Sequence, residues 1–258
     1  MTDWAGVSAA SVFHASTAGP RPGSAGDRQD LPVRDALLPA LLEHATDVLE
    51  RADVSSGSVA AWGCLVATEA ATHSTAEAIA ATLVELGPRW VDPDTFLYYS
   101  PQTIAADLCI RLGLGGPSMT LIGPSSGVDV LGLGARWTRT GRCPGALIVA
   151  VDRQVPGAPA ADGRKAVPEE WSVGIAVVTA DHGALRIGEW RPAGARDADG
   201  LGTPRSPAPG THASPRAVEP FARLAGWLDA GGPDGTAALG SHGSEVAVGP
   251  RDAQEPAC

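Results

Sequence analysis

The chain has 258 residues, 44% of them hydrophobic, enough to bury a core of one or two domains. With 19 basic against 29 acidic residues its formal charge is −10, a field that repels nucleic acid and anionic membrane, so an acidic partner must dock on a local basic patch. Cys64, Cys109, Cys143 and Cys258 form no CxxC pair, so the usual zinc signature is missing, no metal or other cofactor is implied, and the three that lie in or beside apolar runs read as buried, reduced thiols.

No stretch approaches the length of a membrane span. The N-terminus lacks the basic region and apolar run of a signal peptide, so a soluble cytoplasmic protein is expected. Residues 6–13 suggest a first strand, and the polar, Gly- and Pro-rich residues 15–34 a lead-in. From Asp35 a helical spacing takes over in Leu37, Leu41, Leu42, Ala45, Val48 and Leu49, with Pro39 near its start. Residues 58–67 read as a buried strand and 75–86 as a helix stopped by Gly87-Pro88. An extended, aromatic stretch (90–101) leads to a helix over 102–112 that ends at Gly113. A short strand (118–122), a tight turn (123–127) and a helix (128–140) follow.

Residues 146–151 carry no polar side chain, as in the middle of a covered parallel sheet. After a polar loop (153–168), strands over 172–179 and 185–190 are separated by Asp181-His182-Gly183, a hairpin turn signal. Helices alternating with apolar strands imply an α/β layered sheet closed by that hairpin. Residues 191–214 have linker composition. Beyond them come an amphipathic helix (Val218, Phe221, Leu224, Ala225, Leu228) and one strand candidate, 236–239 with 246–248, interrupted by a turn. The expected organisation is a strand and lead-in over 1–34, a main domain over 35–190, the linker over 191–214, and a helix and strand remnant with a tail over 215–258.

The tract RLGLGGPSMTLIGPSSG (residues 111–127) resembles the "RLGLxGPSxTxxxACSS" run of the β-ketoacyl synthases, and the family's cysteine falls on Ser125. Residues 87–89 are similar to the segment before that family's first active-site helix. Residues 145–152 and 170–178 resemble its "aDxvlvgGve" and "EGagvlvLe" strands. The resemblance covers roughly residues 35–190. It implies a thiolase-like layered α/β fold present as a single, shortened half, with a mixed, mostly parallel sheet flanked by helices. The second half, which supplies the family's two catalytic histidines and a lysine, is almost entirely missing.

In that family the nucleophile opens a buried helix, where the helix dipole favours a thiolate. A serine hydroxyl is far harder to ionise and needs an adjacent base. Gly123-Pro-Ser-Ser-Gly127 also satisfies G-x-S-x-G, the strand-turn-helix elbow of serine hydrolases. The plainer reading is that Ser125 or Ser126 caps a helix. Of the six histidines, His242 lies in what resembles a remnant of the family's closing turn, the one position that would approach Ser125; as a plain turn residue it would be exposed. Asp129 would orient a polar group or offset the helix dipole.

In the family the strand before the nucleophile pairs across a dimer, which assigns Met119 and Leu121 to a partner surface. A homodimer, or a heterodimer with a ketosynthase as in the chain-length-factor arrangement, would cover that edge. Arg136, Arg139 and Arg142 would offer a basic face to an acyl carrier protein, or simply offset a helix C-terminus. Two functions follow. One is an accessory protein without condensing activity in polyketide or fatty-acid-type biosynthesis. The other is a small serine acyltransferase or thioesterase using Ser125 and His242.

Overall fold

The computed structural model describes residues 5–17, 32–54, 56–69, 73–154, 169–180, 183–191, 217–231, 233, 237–241 and 244–250. In chain order the elements are β1 (Ala5–Thr17), α1 (Pro32–Arg51), β2 (Gly63–Thr68), α2 (His73–Glu85), α3 (Pro93–Tyr99), α4 (Gln102–Leu112), β3 (Ser118–Ile122), α5 (Ser126–Arg139), β4 (Gly145–Gln154), β5 (Glu169–Thr179), β6 (Leu185–Arg191), α6 (Glu219–Asp229), β7 (Ala237–Ser241) and β8 (Ser244–Pro250). Short 3-10 turns occupy Ser56–Ala61 and Pro88–Trp90.

All eight strands join one sheet in the order β3-β2-β4-β5-β1-β6-β8-β7. It is mixed, as expected, but the balance differs from the expectation. Only β2 with β3 and β2 with β4 run parallel, while the other five pairings are antiparallel. The reason is β1. It inserts between β5 and β6, antiparallel to both, so those two do not form the hairpin that Asp181-His182-Gly183 suggested. Gly183, just before β6, instead lies against the start of β1. A Cβ on Gly183 would lie 2.5 Å from Val7 N and O, so only glycine fits there.

Other boundaries move for local reasons. The run 58–67 begins as a 3-10 turn and becomes β2 only at Gly63. The stretch 90–101 is largely helical rather than extended, with Pro93 opening α3 at a position where its missing N–H costs nothing. The lead-in is shorter than expected, because β1 runs to Thr17 and α1 starts at Pro32, which puts Pro39 inside the helix. The single strand candidate near the C-terminus is two strands, β7 and β8, paired with each other. Most of the linker and of the polar loop lies outside the described residues.

Side chains alternate across the sheet into two cores. On β4, Ala146, Ile148 and Ala150 face one core, with α5 and α6; Leu147, Val149 and Val151 face the other, with α1 and α4. In β1 the register shifts between Val7 and Ala9, and there the alternation slips by one residue, so that Val7 faces the first core and Ala9 the second. On α1, Leu37, Leu41, Ala45 and Val48 line the second core at helical spacing. Each fully buried leucine or isoleucine contributes about 1.5–3 kcal/mol.

The sheet curls around α5. This helix touches β2 and β3 at one end of the sheet and β8 and β7 at the other. Eight strands at about 4.8 Å spacing would span roughly 34 Å if flat, whereas the 14 residues of α5 extend only about 21 Å. Curling brings both ends within reach. Ten residues of α5, from Ser126 to Thr138, are consequently buried, so the helix is covered nearly all round. No described helix is long and apolar enough to cross a membrane.

Candidate functional site

Ser125 sits at the junction of β3 and α5. Gly123, with φ of 135°, makes the turn that a β-carbon would strain, and its N–H is held by the Thr68 carbonyl at the end of β2. Ser125 occupies the N-cap position, yet its φ and ψ of −95° and −5° are helical and its side chain caps nothing. A capping serine normally adopts an extended backbone and accepts from the amide two or three residues ahead. Here the Ser125 hydroxyl donates instead to Asp129 Oδ2, at 2.7 Å. The capping expectation therefore fails for its side chain. Ser126, the first residue of α5, is 2% exposed with no partner for its hydroxyl, so it does not cap either.

Asp129 is the hub. Its second oxygen accepts the Trp190 indole N–H from β6 at 3.1 Å, so Ser125, Asp129 and Trp190 form one half-buried network. Asp129 thus orients a polar group, as one sequence reading held, and lies where the helix dipole favours an anion. Trp190 was not foreseen as a site residue. Its signal was Gly132, a glycine inside a helix where it costs stability, which usually marks close approach. A Cβ on Gly132 would lie 2.2 Å from Trp190 Cγ.

A second buried anchor lies at the end of β4. Asp152, 3% exposed, accepts the backbone N–H of Glu69 at 3.0 Å and of Ala217 at 2.8 Å. Burial pushes its carboxyl above the usual range, opposed by those two hydrogen bonds. Ala217 leads into α6 and presses on the start of α5, where a Gly127 Cβ would lie 2.0 Å from the Ala217 carbonyl oxygen. One carboxylate therefore ties the end of β2 to the segment roofing α5.

His242 lies outside the described residues, although Ser241 and Ser244 on either side of it pair in the β7–β8 hairpin. The one described histidine side chain with a ring partner, His44, stacks on Phe13 at 3.8 Å and belongs to α1, across the sheet from α5. No described histidine side chain is thus brought to Ser125. Among the described residues no group of three His, Cys, Asp or Glu can hold a metal.

The expected partner residues separate. β3 is an edge strand paired with β2, and Met119 stands 40% exposed on it. Leu121, two residues on and on the same face, packs against the core around α5 instead. The three arginines do not make one helix face, because α5 ends at Arg139 and Arg142 lies beyond it. Arg139 donates to the Gly188 carbonyl at 2.9 Å, and the Arg142 guanidinium lies 4.9 Å from the centre of the Trp137 ring. Arg136 is exposed.

No protein-family model and no curated protein matches the chain. Solved structures do. A chain of the complex between a ketosynthase (ApeO) and its chain length factor (ApeC) from Xenorhabdus doucetiae superposes with a TM-score of 0.56 at 12% identity, over 96% of this chain and 99% of that one. A type II polyketide synthase assembly, acyl carrier protein AntF with its ketosynthase AntDE bound to the hexaketide, gives a TM-score of 0.52 at 12% identity, over 74% of this chain and 63% of that one. The ishigamide ketosynthase/chain length factor gives 0.41 at 18% identity, over 54% of this chain and 42% of that one. The chain thus spans less than two thirds of two of these relatives and nearly all of the third. It has, in shortened form, the thiolase-like fold of the ketosynthases and their chain length factors.

Proposed function

We propose that this protein is a ketosynthase-like accessory subunit without condensing activity, working in polyketide or fatty-acid-type biosynthesis by associating with a ketosynthase or with an acyl carrier protein. The observation that carries this reading is the state of Ser125. At the position where the resemblance places a cysteine thiolate, the hydroxyl is bound to a carboxylate at the start of a helix covered on nearly every side. A serine there lacks the thiolate that a helix dipole stabilises. The near-equal length of this chain and its Xenorhabdus doucetiae counterpart supports the reading, since that counterpart belongs to a ketosynthase–chain length factor complex.

The test is reconstitution with a ketosynthase, an acylated carrier protein and malonyl carrier protein, followed by mass spectrometry of the carrier-bound chains. This protein alone is expected to give no elongation, and Ser125→Ala is expected to support the ketosynthase as well as the parent does. Elongation by this protein alone would sink the reading. The Ser125–Asp129 contact is the one feature favouring a serine acyltransferase or thioesterase. Carboxylates are weaker bases than the imidazole that usually serves serine, so labelling by a fluorophosphonate probe, lost in Ser125→Ala, is the result that would establish that alternative.

A further inference from the structure

Two thiols meet where α4 packs on the sheet. Cys64, on β2, is fully buried and faces the core lined by α1 and α4. Cys109, in the last turn of α4, is half-buried and packs against the same core. The two thiols are hydrogen-bonded to each other, although β2 and α4 are separated in the chain by α2 and α3. Neither takes part in the Ser125 network. Cys143 stands apart from them. It is buried in the other core, where a Cβ on Gly63 would lie 3.3 Å from its sulfur. Gly63 and Cys64 are successive residues of β2 and so face opposite sides of the sheet. The sheet therefore separates Cys143 from the pair.

We propose that Cys109 and Cys64 form a peroxide-oxidisable dithiol site, Cys109 being the sulfur that meets the oxidant and Cys64 the one that resolves it into a disulfide. The division of roles follows from access. Cys109 is reachable from solvent, whereas Cys64 is sealed in the core and touches the outside only through Cys109. The Cys64 hydrogen bond also favours the Cys109 thiolate, the form that reacts. In the first step that thiolate attacks one oxygen of hydrogen peroxide. The S–O bond forms, the O–O bond breaks, and hydroxide leaves, giving a sulfenic acid at Cys109. Cys64 then loses its proton and attacks the Cys109 sulfur. The S–S bond forms, the S–O bond breaks, and the departing hydroxide takes up the proton as water. Two thiols are oxidised by two electrons, and one peroxide is reduced to two waters. The bond fastens α4 to β2, and α4 also lies against β3, the strand that leads into the Ser125 turn.

The experiment treats the reduced full chain with equimolar hydrogen peroxide, blocks the remaining thiols with iodoacetamide, and maps the peptides by mass spectrometry. A peptide pair joining Cys64 to Cys109, lighter by two hydrogens than the separate thiols, is expected. It should form at least tenfold faster in the native chain than in the urea-unfolded chain. Dithiothreitol should reverse both the bond and the rise in melting temperature that accompanies it. In Cys64→Ser, dimedone should trap a sulfenic acid at Cys109, and in Cys109→Ser the Cys64 thiol should stay reduced. The parent measurement needs neither variant, so a substitution that fails to fold leaves the test intact. Cys109 joined to Cys143 or Cys258, or carried to sulfinic acid while Cys64 stays free, overturns the site. So do two unreacted thiols in the native chain, equal rates in folded and unfolded chain, or a bond that lowers the melting temperature.

Discussion

Gly132→Ala is expected to destabilise the protein although it improves the helix. Propensity alone predicts a gain, since alanine is better than glycine in a helix interior by about 1 kcal/mol. The added methyl, however, would lie 2.2 to 2.6 Å from Trp190 Cγ, Cδ1 and Cβ. These are the root of a ring and cannot swing aside like the tip of a flexible chain. Overpacking of this kind costs about 1–3 kcal/mol. Displacing the indole also breaks its hydrogen bond to Asp129, and a bond to a charged acceptor contributes about 1.5–3 kcal/mol. Allowing for overlap between the two and for the propensity gain, the net loss is about 2–4 kcal/mol, a large share of a typical domain's 5–15 kcal/mol. Urea denaturation followed by far-UV circular dichroism measures it. The decisive arm is a double-mutant cycle. In a Trp190→Gly background, which removes the Cβ as well as the ring, Gly132→Ala should become neutral or stabilising, because the clash is gone. Equal costs in both backgrounds would refute the contact, and a stabilising Gly132→Ala in the parent would refute it outright.

Ser125→Ala should remain folded and lose about 1.5–3 kcal/mol, the worth of one hydrogen bond to a charged acceptor, read from the same urea curves; a loss several times larger would mean that the hydroxyl has a further structural role. Asp152 has its carboxyl pushed up by burial, so its contribution is fully present below the unfolded carboxylate range and is lost as pH rises through the raised folded value. The melting temperature of the parent relative to Asp152→Asn should accordingly fall from about pH 4 toward neutrality, and a difference that grows with pH would contradict this. Cys109 is half-buried, and its hydrogen bond with Cys64 lowers its thiol below the ordinary value; that same bond, then burial, hold Cys64 well above it. Iodoacetamide with peptide mapping should therefore alkylate Cys109 well before Cys64 in the native protein, and equal rates would count against the arrangement.

The sequence was most readable where its signals are local. α4 and β3 fall on the expected residues because Gly113, in the left-handed conformation with φ of 70°, stops the helix, and Pro117 separates it from a five-residue strand. Elements governed by distant contacts were hidden. The 3-10 turn before β2 is fixed by Gly115 and Gly116, whose N–H groups bind the Ala60 and Trp62 carbonyls, so close that a Cβ on either would collide. Nothing within residues 56–62 announces this. The turn residues at 181–183 suit a tight hairpin between β5 and β6, and only the placement of β1 rules it out. The site shows the same division. Ser125 and Asp129 are four residues apart and are legible together, while Trp190 reaches Asp129 across 61 residues and Ala217 reaches Asp152 across 65, and these left only indirect traces such as Gly132.

The place of β1 in the sheet also sets a timetable for the nascent chain. β1 leaves the ribosome well before β5 and β6, its neighbours in the sheet, and Gly6 pairs with Thr179. At 5–20 residues per second, synthesis takes roughly 10–30 s to cover that distance. Throughout that interval an apolar segment destined for the middle of the sheet has neither of its neighbours, while β2, β3 and β4 can already assemble in parallel. Such non-local pairing slows folding and exposes the chain to misassociation. Yield in a heterologous host should thus depend on chaperone capacity and growth temperature more than on the stability of the finished fold.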